Sequence, residues 1–219
     1  MVKKLIFLLF IVNLSVVNAQ VRIRLGAHFD PVVSWFSTKS SDIDKDGARP
    51  GYNGGLIVEG YFSPNYAFVT GLSLTQLGGN LLYHAPVTIT TGKGDDVILP
   101  AETTVAYNIK YLTFPAALKL RSNQIGYFNY FAQLGLLPQV NIGSRATATG
   151  SLLIKDNVSK EINLFNLSFY FGGGIEYNIG GQTFLLAGLF FNNGFFDVLS
   201  SSRQKSSLNF LTIQLGMMF

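Results

Sequence analysis

The chain has 219 residues, no cysteine, 23 glycines, 14% aromatics, 13% charged residues and a formal net charge of +4. The absence of cysteine excludes disulfide scaffolds, Cys-ligated zinc and iron–sulfur clusters. A 48% hydrophobic share with so few charges excludes ordinary disorder, and without a Lys/Arg cluster beyond residue 4 nucleic acid is not a partner.

Residues 1–19 read as a secretory signal peptide. Lys3 and Lys4 form a basic start, Leu5 to Val12 an unbroken apolar run, and Val17-Asn18-Ala19 a cleavage site before Gln20. The rival reading, a membrane-anchoring helix, needs ~20 apolar residues, and Asn13, Ser15 and Asn18 interrupt the stretch. Residues 20–219 then form one domain. Its longest apolar run, Phe184 to Phe191, is too short for a helix to cross a bilayer.

Alternation with period 2 dominates this domain. Ile23, Leu25, Ala27 and Phe29 oppose Arg22, Arg24, Gly26 and His28. Leu56, Val58 and Phe62 oppose Ile57, Glu59 and Tyr61, and Phe128, Tyr130, Ala132, Leu134 and Leu136 oppose Asn129, Phe131, Gln133 and Gly135. Phe165, Leu167, Phe169, Phe171, Ile175 and Tyr177 share one face, as do Leu211, Ile213, Leu215, Met217 and Phe219. Eight strands follow, over 21–36, 51–63, 66–78, 104–120, 126–142, 163–178, 182–195 and 206–219. Pro115 and Pro138 mark bulges or strand ends, since each lacks a ladder donor.

A soluble sandwich also alternates. The segments here are longer than the usual ~5–6 residues, their polar face is rich in glycine, and short turns alternate with long loops (37–50, 79–103, 143–162, 196–205). That is the pattern of an all-β, eight-stranded, up-and-down transmembrane barrel in the outer membrane, with both termini periplasmic and lipid as its surroundings. Tyr52, Tyr61, Phe62, Tyr66, Phe68, Tyr127, Phe128, Tyr177, Phe190 and Phe191 are expected to form aromatic girdles at the membrane boundaries.

The inward set carries a lumen polar network of Arg22, Arg24, His28, Glu59, Lys119 and Glu176, joined by Gln133, Asn166 and Gln214. Charges of both signs in so narrow a lumen should pair, which plugs it. Hairpin symmetry sets His28 opposite Glu59. A proton or solute path is the sharper alternative.

Three loop features bear on chemistry. Asp42-Ile43-Asp44-Lys45-Asp46-Gly47 matches the opening of a calcium loop, making Asp42, Asp44 and Asp46 a weak metal candidate. Asn53 stands where a bidentate Glu belongs, and a solvated acidic turn explains the segment as well. No other cofactor is indicated. Loop 79–103 is long, and Val87–Thr90 and Val97–Leu99 flank a Gly-rich tip. It reads as an exposed apolar hairpin and a protein-partner surface, or else as a long mobile loop. His28 and Asp30 share a face at i, i+2 but have no placed nucleophile, and His84 lies in a loop. The chain is therefore read as no enzyme.

Terminal Phe219, preceded by alternating apolar residues, resembles the signal read by the barrel-assembly machinery. Tyr111-Leu112-Thr113-Phe114-Pro115-Ala116-Ala117-Leu118-Lys119-Leu120 resembles a strand of the PorT-like outer-membrane β-barrel family, and Phe171-Gly172-Gly173-Gly174-Ile175-Glu176-Tyr177 resembles that family's sixth strand. The resemblance implies a small Gram-negative outer-membrane barrel, whose namesake serves a protein-secretion and gliding apparatus. The resulting expectation is a structural or protein-interaction subunit, in a secretion or surface-assembly complex. The alternatives are a barrel enzyme modifying outer-membrane lipid and a narrow solute channel.

Overall fold

A computed structural model describes residues 22–38, 40–92, 94–150, 156–200 and 205–219. The signal peptide expected over residues 1–19 lies outside them. Twelve strands run in chain order: β1 (Arg22–Thr38), β2 (Ile43–Ser63), β3 (Tyr66–Tyr83), β4 (Val87–Thr90), β5 (Asp96–Leu99), β6 (Thr103–Thr113), β7 (Ala116–Arg121), β8 (Phe128–Ala148), β9 (Asp156–Asn157), β10 (Phe165–Gly180), β11 (Thr183–Gly194) and β12 (Ser206–Met218). β6 and β7 act as one stave, so eight staves pair antiparallel in chain order. β12 returns to β1, from Gly26↔Met218 to Thr38↔Ser206, and closes the ring. Closure leaves no free edge, which a lipid environment requires.

Two prolines shape the fourth and fifth staves. The expected strand 104–120 is interrupted at Phe114 and Pro115. Pro138 stays inside β8, opposite Leu167, and its carbonyl accepts the Phe114 N–H at 3.0 Å. The donor that Pro138 lacks therefore faces the stretch where the neighbouring stave is already broken.

The expected loops are largely strand. Residues 43–50, expected as loop, belong to β2, which pairs with β3 as far as Ile43↔Tyr83. Gly47 (φ 116°) supplies the left-handed residue of a bulge there, between Lys45 and Ala48. A second bulge, at Asn141–Gly143 of β8, reverses which residues face inward. The Asn141 side chain holds it, accepting the Gly143 N–H at 2.8 Å.

The staves carry two kinds of core. In the lower part the outside is apolar, with Ile23, Leu25, Leu56, Leu74, Leu134 and Ile213 all exposed, and the inside is polar. This is the inversion expected where lipid replaces water. Above it the pattern reverts. Asp44, Lys45, Asp46 and Arg145 are exposed, whereas Phe36, Ile43, Leu81, Leu99, Val105, Val158 and Leu208 are buried inside. That upper core is closed by the β4–β5 hairpin, in which Val87 pairs with Leu99.

The hairpin expected from residues 87–99 is thus present, but its apolar side is not exposed. Ile89 and Leu99 are buried. The hairpin also bonds across the mouth, from Thr90 N–H to Glu161 Oε1 at 3.0 Å and from Gly92 N–H to the Asn157 carbonyl at 2.7 Å. Isolated two-stranded ribbons are marginal in water, so the apolar residues fold onto the core beneath them.

Two expected girdle aromatics turn inward. Tyr61 (6% exposed) and Phe190 (4%) lie in the lumen, while their neighbours Phe62 and Phe191 face out. Successive side chains of a strand point to opposite faces, so adjacent aromatics cannot both meet lipid. Among the other expected girdle residues, Phe62 stacks on Tyr66 and Phe128 lies against Tyr177, at 6.3 and 5.0 Å between ring centres.

Candidate functional site

The lumen holds two polar layers. The lower one is an ion network contributed by β1, β2, β7 and β10. Lys119 Nζ donates to both Glu59 Oε1 and Glu176 Oε1. Arg121 Nε donates to Glu176 Oε2 at 2.7 Å, and Arg24 Nη1 reaches Glu176 Oε2 at 3.3 Å and Glu59 Oε2 at 3.4 Å. Tyr61 completes the set, donating to Glu59 Oε2 at 2.9 Å and accepting from Arg24 Nη1 at 3.1 Å. Aromatic faces back the cations. Lys119 Nζ stands 4.4 Å from the centre of Phe131, and the Arg24 and Arg121 guanidiniums lie 4.4 and 5.0 Å from that of Phe184. The side chains of Glu59, Glu176 and Lys119 are 0–1% exposed, so their charges are offset by one another rather than by solvent.

Register explains the assembly. Arg24 faces Glu59 across β1–β2, and Lys119 faces Gln133 across β7–β8. His28 pairs with Gly55, not with Glu59 as hairpin symmetry suggested. β2 begins at Ile43, inside the expected loop 37–50, so the β1–β2 connection is centred earlier than a symmetric count placed it and the partner of Glu59 becomes Arg24.

The upper layer is a belt of hydrogen bonds. His28 Nδ1 lies 2.6 Å from Asp30 Oδ2, and that oxygen accepts from Asn53 Nδ2 at 3.0 Å. The belt continues through Thr75 to Asn53 (2.9 Å), Thr75 with Thr113 (2.8 Å), Gln139 to Thr113 (3.4 Å) and Asn166 to Gln139 (2.9 Å). It crosses β1, β2, β3, β6, β8 and β10. Asp30 Oδ1 also accepts the Leu215 N–H at 3.0 Å, beside Pro31, which has no amide hydrogen for the β12 ladder. The belt lines a cavity of ≈ 70 Å³, room for about two waters.

Of the six residues expected in the lumen network, the structure gathers Arg24, Glu59, Lys119 and Glu176. His28 belongs to the upper layer, and Arg22 is exposed at the mouth on the short-turn side. Arg121, Tyr61 and Asn129 complete the lower layer and were missed. Arg121 was legible, since it lies two residues past Lys119 and so shares its face.

The described structure does not gather the three loop aspartates of the calcium candidate at one point. Asp44 accepts from or pairs with His84 Nε2 at 3.0 Å, Asp46 Oδ2 accepts from Thr104 at 2.6 Å, and the Asp42 carbonyl accepts the His84 N–H at 3.1 Å. From Ile43 this segment runs as extended strand, in which residues two apart share a face but lie ~6.5 Å apart along the chain, and among the described residues no three His, Cys, Asp or Glu converge on a metal position. His84 is instead a clasp, with Nδ1 on Glu102 Oε1 at 3.0 Å. Hydrogen bonds to Asp44 and then to Glu102 raise its pKa above the ordinary imidazole value. Phe219 exchanges backbone hydrogen bonds with Leu25 at 2.7 and 3.3 Å and presents its ring outward.

The chain matches the family model described as outer membrane protein beta-barrel domain over residues 17–200. No curated protein sequence matches it. Among solved structures it is similar to Neisserial surface protein A, with 14% identity and a TM-score of 0.47 over 90% of this chain and 95% of that one. It is similar to Ail, the attachment invasion locus protein of Yersinia pestis (14% identity, TM-score 0.43, 90% and 98% covered). It is also similar to the outer membrane protein OprG from Pseudomonas aeruginosa (13%, 0.42, 91% and 97%).

Proposed function

The chain belongs to the outer membrane protein beta-barrel domain family, and from that premise we propose that it works in the outer membrane as a closed, non-conducting barrel with a structural or protein-interaction role. One observation carries this reading. Any path through the lumen passes Glu59, Lys119 and Glu176, whose side chains are at most 1% exposed. A water-filled path would wet them.

The short-turn mouth and both termini are assigned to the periplasm and the capped mouth to the exterior, following the usual asymmetry of such barrels. The barrel-assembly machinery is the partner during biogenesis, with Phe219 as its signal. Within the family, Tyr111–Leu120 and Phe171–Tyr177 support a PorT-like assignment and hence a place in a secretion or surface-assembly complex. The capping hairpin of loop 79–103 is the partner surface in this reading, presenting Ile98 (71% exposed) above its buried face.

Two measurements test it. Planar-bilayer recording of the purified barrel should show no discrete conductance steps, and regular steps would refute the closed lumen. Mild-detergent purification from the outer-membrane fraction should bring down a stoichiometric partner, lost when residues 84–100 are trimmed. A solitary barrel would remove the interaction role.

A further inference from the structure

The bulge at Asn141–Gly143 of β8 decides which way Arg145 points. Before it Leu137 and Gln139 are buried, and after it Ser144 and Ala146 are. Unbroken alternation would carry Arg145 inward with Gln139. The extra residue turns it outward, and re-aiming a side chain is a recurring use of a bulge. The bulge has its own bonds. Asn141 Oδ1 accepts from the Gly143 N–H at 2.8 Å and from Ser144 Oγ at 3.1 Å, and Ser159 Oγ accepts the Ser144 N–H at 3.1 Å.

The result sets two cations side by side on the outer wall. Lys110 of β6 lies between the fully buried Ile109 and Tyr111, so it too points outward. Lys110 faces Gly143 and Asn108 faces Arg145 across β6–β8, which makes Lys110 and Arg145 diagonal neighbours ~7–8 Å apart. Both are exposed, and neither forms an ion pair among the described residues. Gly143 leaves the wall open beside them, since a Cβ there would meet nothing within 4 Å. Gln76 faces Lys110 from β3, and Asn157 faces Arg145 from β9. No carboxylate stands on the Gln76–Lys110–Gly143 row or on the Asn108–Arg145–Asn157 row.

One row lower the wall is apolar. Leu74, Leu112 and Val140 stand in register there, with Leu74 exposed, and the bulged Ile142 is exposed beside them. Lys110 and Arg145 therefore mark the line where the lipid-facing surface ends, at the depth of head groups rather than acyl chains.

We propose that this part of the wall is a docking surface for the phosphate of an outer-leaflet glycolipid, a phosphorylated sugar carried on acyl chains. Lys110 and Arg145 take the phosphate, Gln76 and Asn108 face the sugar hydroxyls, and the acyl chains lie along Leu74, Leu112 and Ile142. Position and charge together select this occupant. A barrel in a bilayer meets lipid at this depth, the two cations have no protein counter-charge, and a phosphomonoester offers several oxygens to adjacent cationic donors. The choice of leaflet rests on the proposed assignment of the capped mouth to the exterior.

The test holds the whole barrel in phosphatidylcholine nanodiscs of graded lipid A content and counts retained glycolipid by native mass spectrometry. Lipid A should be retained in preference to dephosphorylated lipid A and to phosphatidylglycerol. Lys110→Gln/Arg145→Gln should weaken that retention by ~30-fold, the combined scale of two cations at an anionic surface. Lys160→Gln/Lys205→Gln removes as much charge from exposed positions outside the patch and should leave it unchanged. Equal retention of either control lipid, parental retention in the first variant, or an equal loss in the second each overturns the proposal. Displacement of lipid A by inorganic phosphate would assign the cations to a soluble anion and overturn it as well. Lipid A lies on both faces of a disc, so these outcomes do not depend on which mouth faces outward. Protease access to residues 84–102 on intact cells tests that orientation separately.

Discussion

Glu176 is the keystone of the lower lumen layer, and its isosteric replacement by glutamine is the sharpest probe of how that layer works. Glu176 accepts from all three network cations, with Arg121 at 2.7 Å, Arg24 at 3.3 Å and Lys119 between the two carboxylates. At an effective dielectric of ~20, the Arg121 and Arg24 contacts correspond to roughly 5–6 kcal/mol of gross attraction each. Most of that is cancelled by the cost of desolvating the charges. What remains on deleting one partner of a buried set is about 3–5 kcal/mol, because the other charges stay buried and unpaired.

Glu176→Gln leaves Arg24, Lys119 and Arg121 facing Glu59 alone. The shape is unchanged, so packing contributes little to the loss. We expect a destabilisation of ~3–5 kcal/mol. The double variant Glu176→Gln/Lys119→Met removes one cation as well, and should recover a large part of it. Urea unfolding in lipid vesicles reports both, with fluorescence from Trp35, the single tryptophan of the chain, which stands 6.3 Å from Phe191 between ring centres. A Glu176→Gln barrel within ~1 kcal/mol of the parent, or a double variant that loses the full sum of its single changes, would refute the reasoning.

The capping hairpin and the barrel should separate energetically. Leu99→Ala removes a fully buried side chain from the upper core at a cost of ~2–5 kcal/mol, and should expose residues 84–102 to protease while the barrel keeps its folded migration on unheated gels. Gly174→Ala should block or severely slow assembly, because a Cβ there would meet the Ala187 carbonyl oxygen at 2.1 Å and Gly188 Cα at 2.5 Å, both backbone. Recovery of a stable barrel at parental yield would show that β10 and β11 can move apart. The His84 clasp has a raised pKa, so its contribution is present below the ordinary imidazole value of ~6.5 and is lost as pH climbs through the raised folded value. An NMR titration of His84 should show that shift, reduced more by Asp44→Asn than by Glu102→Gln.

The sequence by itself determined the barrel. The length of the alternating segments, their glycine-rich polar face and the alternation of short turns with long loops point to eight staves in a closed ring, and the inward placement of Arg24, Glu59, Lys119 and Glu176 follows from parity. Parity also held what was overlooked, since Arg121 sits on the Lys119 face and Tyr61 on the Glu59 face. Register was beyond its reach. Which residue on β1 meets Glu59 depends on where the β1–β2 connection turns and on the shear of the closed ring, and a slip of four residues exchanges His28 for Arg24.

The loops were the least legible for a related reason. Asp42, Asp44 and Asp46 have the spacing of a calcium loop, and Ile89 and Leu99 the look of an exposed hairpin. Neither spacing nor composition shows whether the segment will be held in a ladder or folded over a mouth. Pairing of β2 with β3 drew Asp44 and Asp46 onto a strand and left Asp42 in the turn before it. The open end of an apolar-lined tube gave Ile89 and Leu99 somewhere to bury. Both outcomes arise from contacts between segments tens of residues apart, and only the tertiary structure brings those segments together.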